Sequence, residues 1–359
     1  MADHLYYRDY LALDTILSAQ HPRSRQQGKA AHDEMLFITV HQVYELWFKQ
    51  ALYELDSIIT IVQQPYVPEH EVATALFRLE RIGEIFRLAI AQFDLLETMT
   101  PLDFLAFRDL LHPASGFQSL QFRLLEIRLG LDDETRVLKG FEQSLDERDR
   151  AELQAARSQP TLFGAVQAWL ERMPFLEVGA YRFWEAYRGA VICMFERERR
   201  AVLEHPALTD EEKHRKLQQI HVNESAFHAL FEPERYEELL RRRQRRLSHR
   251  ATLAALFIML YRDYPLLQLP FRFLDALIRL DHRFSLWRYR HAVMVNRMIG
   301  RKVGTGGSSG YEYLLQTTLQ QHIFQDLSSL ASYLLPPAEI PPLPAEIENR
   351  LRFAVEVHG

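Results

Sequence analysis

Apolar residues along this chain recur every three or four positions and do not alternate over any strand-length run, so the pattern predicts helices and no strand of any length. The fullest case is residues 32–62, HDEMLFITVHQVYELWFKQALYELDSIITIV. Phe37, His41, Tyr44, Phe48, Leu52 and Leu55 make one stripe there, with Leu36, Val43, Trp47, Ala51 and Ile58 in a second beside it. A helix that is apolar on more than one side belongs at the centre of a bundle. Residues 69–99 continue helically. Thr100 then reads as a helix cap, Pro101 as its first-turn residue and Asp103 as the charge favoured at the positive end. His112-Pro113-Ala114-Ser115-Gly116 breaks that helix, and residues 116–119 begin the next.

Residues 131–177 read as a polar connection and a helix ending in AWLERMPFLE, and 178–204 and 209–242 as long charged helices. Residues 251–280 are apolar again, with breaks expected at Pro265 and Pro270. Over 284–300, Leu286, Trp287, Val293, Met294, Met298 and Ile299 form an apolar face, and Gly300 is the expected stop. A loop with four glycines between Gly304 and Gly310 follows, then a further helix over 311–335 and an extended PPAEIPPLPAEI tail. The expected architecture is all-α, a long-helix bundle with a small peripheral helical appendage. The expected division is an N-terminal arm over 1–30, a main helical domain over 31–174 and 246–335, the appendage over 175–245 and a proline-rich tail over 336–359. The arm is aromatic on one side through Tyr6, Tyr7, Tyr10 and Leu11, and two fates are open to it: packing on its own domain or reaching a neighbouring subunit.

Composition narrows the function classes. At 359 residues with 47% apolar and 25% charged content, the chain buries a large core. A net charge of -5 gives no general pull towards nucleic acid or anionic membrane. The basic run LLRRRQRRLSHRA lacks interleaved aromatics and follows Glu232, Glu234, Glu237 and Glu238, so a solvated helix with i,i+4 partners is expected there. No signal-peptide pattern and no membrane-length apolar run is present, which points to a cytoplasmic protein. Cys193 is the only cysteine, which excludes internal disulfides, multi-thiolate clusters and covalent heme attachment.

The candidate chemistry is sparse. No HExxH motif or zinc-spaced cluster occurs, and there is no nucleophile elbow: the string GGSSG over 306–310 has the letters G-x-S-x-G but follows a helix pattern, not a strand. His291 and His41 each sit on an apolar helix face, and each reads either as a hydrogen-bonded core histidine or as a ligand. Arg108 lies among Phe104, Phe107 and Leu111, and reads either as a snorkelling side chain or as an anion site. The glycine loop is a plain linker, an anion cradle unlike a P-loop, or a close-approach surface for a ligand beside Thr305. One candidate axial histidine, a second histidine, an arginine among phenylalanines and a Gly/Thr loop together suit a heme pocket with a small amphoteric ligand.

Three long motifs, HDEMLFITVHQVYELWFKQALYELDS, TPLDFLAFRDLLHPASGFQSLQFRLLE and WRYRHAVMVNRMIGRKVGTGGSSGYEYL, resemble the tryptophan 2,3-dioxygenase family. The resemblance extends from the YYRDYLALD arm to the SSLASYLLP tail and is weakest between about Phe175 and Tyr236. It implies an enzyme that inserts both atoms of O2 across the indole C2–C3 bond of L-tryptophan to give N-formylkynurenine. It also implies one non-covalent heme b per subunit and a homotetramer built as a dimer of dimers. Residue by residue, His291 matches the axial heme ligand, and His41 the distal histidine that contacts the indole N–H. Arg108 matches the carboxylate-binding arginine, and Thr305 the loop threonine at the ammonium and carboxylate. Phe37, Phe104, Leu111, Ser115 and Gly304 match pocket-lining positions, and Tyr7, Tyr10 and Leu11 the arm that completes a neighbour's pocket. Ile38, Thr39 and Val40 fall within the same matched pocket stretch. Thr39 and Val40 depart from the family's usual residues and lie on other helix faces, so little effect is expected from them.

Overall fold

The computed structural model describes residues 5–131, 142, 145–300 and 310–353. The chain opens with three short helices, α1 (Tyr7–Tyr10), α2 (Leu13–Leu17) and α3 (Arg23–Gln26), before the first long one, α4 (Glu34–Val62). Then come α5 (Glu69–Leu96), α6 (Pro101–Arg108), α7 (Leu120–Leu129), α8 (Glu147–Arg157) and α9 (Leu162–Glu171). A two-stranded hairpin, β1 (Glu177–Val178) and β2 (Tyr181–Arg182), precedes α10 (Phe183–Glu204), α11 (Asp210–Phe231) and α12 (Pro233–Arg241). The chain closes with α13 (His249–Leu260), α14 (Pro265–Ile299), α15 (Gly310–Gln320), α16 (Gln325–Ser329) and α17 (Ala345–Leu351). The fold is all-α, as the helical periodicity requires.

Two compact units share these helices. The first comprises Met1–Ser57, Glu80–Thr161 and Leu280–Ile323. Its core is aromatic: Trp287 has Phe122 at 4.7 Å, Phe93 at 5.7 Å, Phe48 at 5.8 Å and Tyr44 at 6.0 Å between ring centroids. Phe48, Phe86, Phe93, Phe107 and Phe284 are fully or almost fully buried. Each such ring contributes about 1.5–3 kcal/mol by leaving water, which is what holds long helices with few backbone contacts to one another. Tyr44 keeps its hydroxyl satisfied by donating to the Ala89 carbonyl at 3.0 Å. The second unit comprises Ile58–Leu79, Leu162–Arg279 and Phe324–Gly359. Its core holds Phe183, Tyr187, Tyr236, Phe257 and Phe273. Asp326 accepts the backbone N–H groups of Arg246 and Leu247 at 2.6 and 2.7 Å, ordering the approach to α13.

Several boundaries follow the local rules. Thr100 and Asp103 form a reciprocal capping box at α6 with Pro101 in the first turn, an arrangement typically worth about 1 kcal/mol. Gly300 ends α14 with φ of 58°, a left-handed conformation that glycine adopts without penalty.

Other boundaries correct the sequence reading. A strand pair exists, although it is only two residues long on each side, closed by Gly179 at φ of 55°. Pro270 does not break its helix but lies inside α14. A helix-interior proline costs about 3 kcal/mol. The burial of Leu267, Phe273, Leu274 and Leu277 around it outweighs that cost. The 209–242 pattern divides at Pro233, because Glu232 is pushed into extended backbone. The helix expected over 311–335 stops at Gln320 and resumes at Gln325. Between them, side chains of α14 take over the backbone groups: Arg288 donates to the Gln321 carbonyl at 2.8 Å, and Asp281 accepts the Ile323 N–H at 2.9 Å.

The basic run is not one helix either, since α12 ends at Arg241 and Arg243 turns the chain at φ of 56°. Arg242 pairs with Glu238 one turn back. Arg245 approaches Asp326 at 3.5 Å, and the Arg246 guanidinium lies 4.1 Å over the Phe163 ring.

Candidate active site

A cavity of about 300 Å³ lies wholly within the first unit, the lower end of the range for small-molecule sites. Helix α4 presents Phe37, His41, Tyr44, Glu45 and Phe48 to it, spaced so that they share one side of the helix. From α14 come Trp287, Arg288, His291, Met294, Val295, Met298 and Ile299. Phe104 and Arg108 reach it from α6, and Leu111, Ser115 and Phe117 from the segment that follows. The start of α7 adds Ser119, Phe122, Arg123 and Glu126. The two apolar-face histidines, which sequence alone left as either core or ligand, thus line one cavity.

Their environments keep both imidazoles neutral. Burial pulls the His291 pKa down to about 4, and the repulsion it would meet from a protonated His41 and from Arg123 adds to the effect. Trp287 stacks on the His291 ring at 5.4 Å and Phe93 at 6.1 Å. Burial also lowers the His41 pKa, opposed in part by its bond to Phe37 and by the charge of Glu45. The Phe37 carbonyl lies 2.7 Å from His41 Nδ1. A carbonyl only accepts, so in the neutral ring the proton sits on Nδ1 and Nε2 is left as an acceptor. The Phe37 ring packs against His41 at 4.1 Å, and Phe37, Phe104 and Phe107 lie within 5.7 Å of one another. Arg108 ends α6 half-buried beside these rings.

The sequence reading missed a second set of groups. Glu45, one turn after His41, accepts Ser119 Oγ at 2.6 Å and Gln121 Nε2 at 3.0 Å, tying α4 to the start of α7. Arg123, Glu126 and Arg288 are buried in the cavity wall, at 7%, 1% and 3% exposure. Glu126 bridges both guanidiniums, at 2.9 Å to Arg123 and 2.6 Å to Arg288. The available signal was a charged residue falling on an apolar helical stripe, as at Glu45.

Not every candidate residue meets the cavity. Ile38, Thr39 and Val40 are not among its lining: Val40 is buried, and Thr39 is exposed, its hydroxyl donating to the Met35 carbonyl. Tyr7 and Tyr10 are about 70% exposed and Leu11 is half-buried in the arm, and none of the three lines it. Gly304 and Thr305 lie outside the described residues.

The donor set fits heme. Among the described residues no group of three His, Cys, Asp or Glu side chains could hold a metal by protein ligands alone. A single neutral imidazole in an apolar wall suits a metal whose remaining equatorial ligands come from a macrocycle. Trp287 Nε1 is buried beside it without an acceptor. That donor, with the Arg123 guanidinium, suits an acidic edge on such a group.

Fold and cavity together define a class: an all-α protein whose mainly apolar cavity is walled by two histidines and a buried Arg–Glu–Arg cluster. Sequence comparison narrows it. The family model described as Tryptophan 2,3-dioxygenase matches residues 1–334. The chain is 48% identical over 352 residues to the tryptophan 2,3-dioxygenase of Bdellovibrio bacteriovorus, covering 97% of this chain and 98% of that one. It is 44% identical to that of Alteromonas mediterranea, covering 98% of each chain. It is 42% identical to that of Dictyostelium discoideum, covering 98% of this chain and 88% of the relative. The chain belongs to the tryptophan 2,3-dioxygenase family.

Proposed function

We propose that this chain is a heme-dependent oxidoreductase that inserts both atoms of O2 across the indole C2–C3 bond of L-tryptophan, yielding N-formylkynurenine. The observation that carries the reading is the pair His41 and His291 on the walls of one apolar cavity in a member of this family. His291 would hold a non-covalent heme b, one per subunit, with Trp287 Nε1 and Arg123 toward its acidic edge. Bound ferrous heme supplies O2 binding and activation.

The protein's own part is orientation and exclusion of water. His41 Nε2 accepts the indole N–H, because Nδ1 is committed to Phe37. It positions the substrate and need not remove a proton. Arg108 takes the carboxylate in a bidentate pairing that lysine could not match. Phe37, Phe104 and Leu111 enclose the indole, and Ser115 lines the same end. Thr305, next to Gly304, meets the ammonium and carboxylate. The exposed Tyr7 and Tyr10, with Leu11, complete the cavity of a neighbouring copy in a homotetramer. A cytoplasmic location fits a chain in which no helix among the described residues is long and apolar enough to cross a membrane.

The test is the absorption spectrum of the reduced protein before and after L-tryptophan in air, with product analysis. A Soret band that changes with substrate, followed by N-formylkynurenine, is expected. A heme-loaded, reduced protein that leaves L-tryptophan unchanged would refute the activity. Turnover of indole or methylindoles in its place would reassign the substrate.

A further inference from the structure

Of the buried charge cluster Arg123–Glu126–Arg288 in the cavity wall, the reading above uses only Arg123. Arg123, Glu126 and Arg288 are each more than nine-tenths buried and all line the cavity. The two guanidiniums converge on one carboxylate, each taking one oxygen. Arg288 is further held by the Gln321 carbonyl at 2.8 Å, and its guanidinium lies 4.4 Å over the Phe284 ring. Arg288 is also three residues before His291, within one turn of the same helix.

Such a triad is a poor way to gain stability. Desolvating three charges offsets most of their attraction, and well-packed apolar residues often serve as well. Its field reaches the metal-binding position, since all three residues line the same cavity as His291 and Arg288 stands one turn before it on the same helix. In a poorly solvated wall, one unit of charge acts more strongly than at a surface.

We propose that Glu126 is a positioning residue that holds Arg123 and Arg288 in place and, by cancelling one of their two charges, sets the ferric/ferrous potential of the heme site. The proposal rests on the heme reading above. Reduction adds one electron to the iron, so nearby positive charge favours the ferrous form and negative charge the ferric form. Glu126→Gln keeps the shape and removes the negative charge, which must raise the midpoint potential. Arg288→Gln removes a positive charge and must lower it. Arg288→Lys restores the charge without the fork and must return the potential towards that of the unsubstituted protein. Loosened packing has no reason to move two variants in opposite directions.

The experiment is a spectroelectrochemical titration of the heme-loaded full chain and its three variants, with the ferrous–CO spectrum checking that His291 still ligates. Opposite shifts for Glu126→Gln and Arg288→Gln, with the lysine variant between Arg288→Gln and the unsubstituted protein, are expected. Shifts of the same sign, or none, overturn the proposal. If Glu126→Gln does not fold, the Arg288→Gln and Arg288→Lys comparison decides by itself. If no charge-changing variant folds, the triad is structural and the proposal falls. An unsubstituted chain that binds no heme would instead overturn the heme reading, so the two failures are distinguishable.

Discussion

Replacing Arg108 with leucine should, on the proposed assignment, separate recognition of the amino-acid end of the ligand from enclosure of its ring. Arg108 is half-buried at the end of α6, on a cavity wall shared with Phe37 and Phe104. An exposed ion pair would be worth about 0–1 kcal/mol. A desolvated one costs roughly 2–5 kcal/mol when one partner is lost. The half-buried position argues for about 2–4 kcal/mol, which is about a 30- to 900-fold weaker Kd for L-tryptophan. The aromatic walls are untouched, so tryptamine, which lacks the carboxylate, should bind the variant about as well as it binds the original protein. Equilibrium titration of the heme-loaded protein with both ligands reads the difference directly. Equal weakening of L-tryptophan and tryptamine would refute the assignment, because it would mean the substitution had deformed the cavity and not removed a carboxylate partner.

Three further outcomes are expected. His291→Ala should lose bound heme, and a normal heme spectrum in that variant would disprove the axial assignment. His41→Ala should keep heme and lose only part of the turnover, as the proposed role of its Nε2 in orienting the indole requires; complete loss with intact substrate binding would make His41 an obligatory base. The third concerns pH. His291 has a folded pKa lowered to about 4 against an ordinary 6.5, so above pH 6.5 it contributes no pH dependence. As the pH falls from 6.5 towards 4 only the unfolded chain gains the proton, and the heme-free fold should lose up to about 3 kcal/mol from this group, with no further loss below that. Denaturant midpoints across that window should fall less steeply in His291→Gln than in the original chain.

Much of this protein is local and was legible in the residues. Periodicity carried the helices, Thr100 and Asp103 the cap of α6, and Gly300 the end of α14, because each depends on neighbours within one turn. Pro270 and residues 321–323 misled for the converse reason. The first is overruled by burial of the leucines and phenylalanine around it, the second by Arg288 and Asp281 from another helix. The histidines divide in the same way. That His41 and His291 lie on apolar faces was written in the spacing. That they share one cavity, each held neutral by burial, came only with tertiary packing. The Arg123–Glu126–Arg288 triad is the extreme case. Its members read singly as ordinary helical charges, and only the folded chain brings 123, 126 and 288 out of water together, since desolvation depends on what distant segments cover and a one-dimensional pattern does not record that.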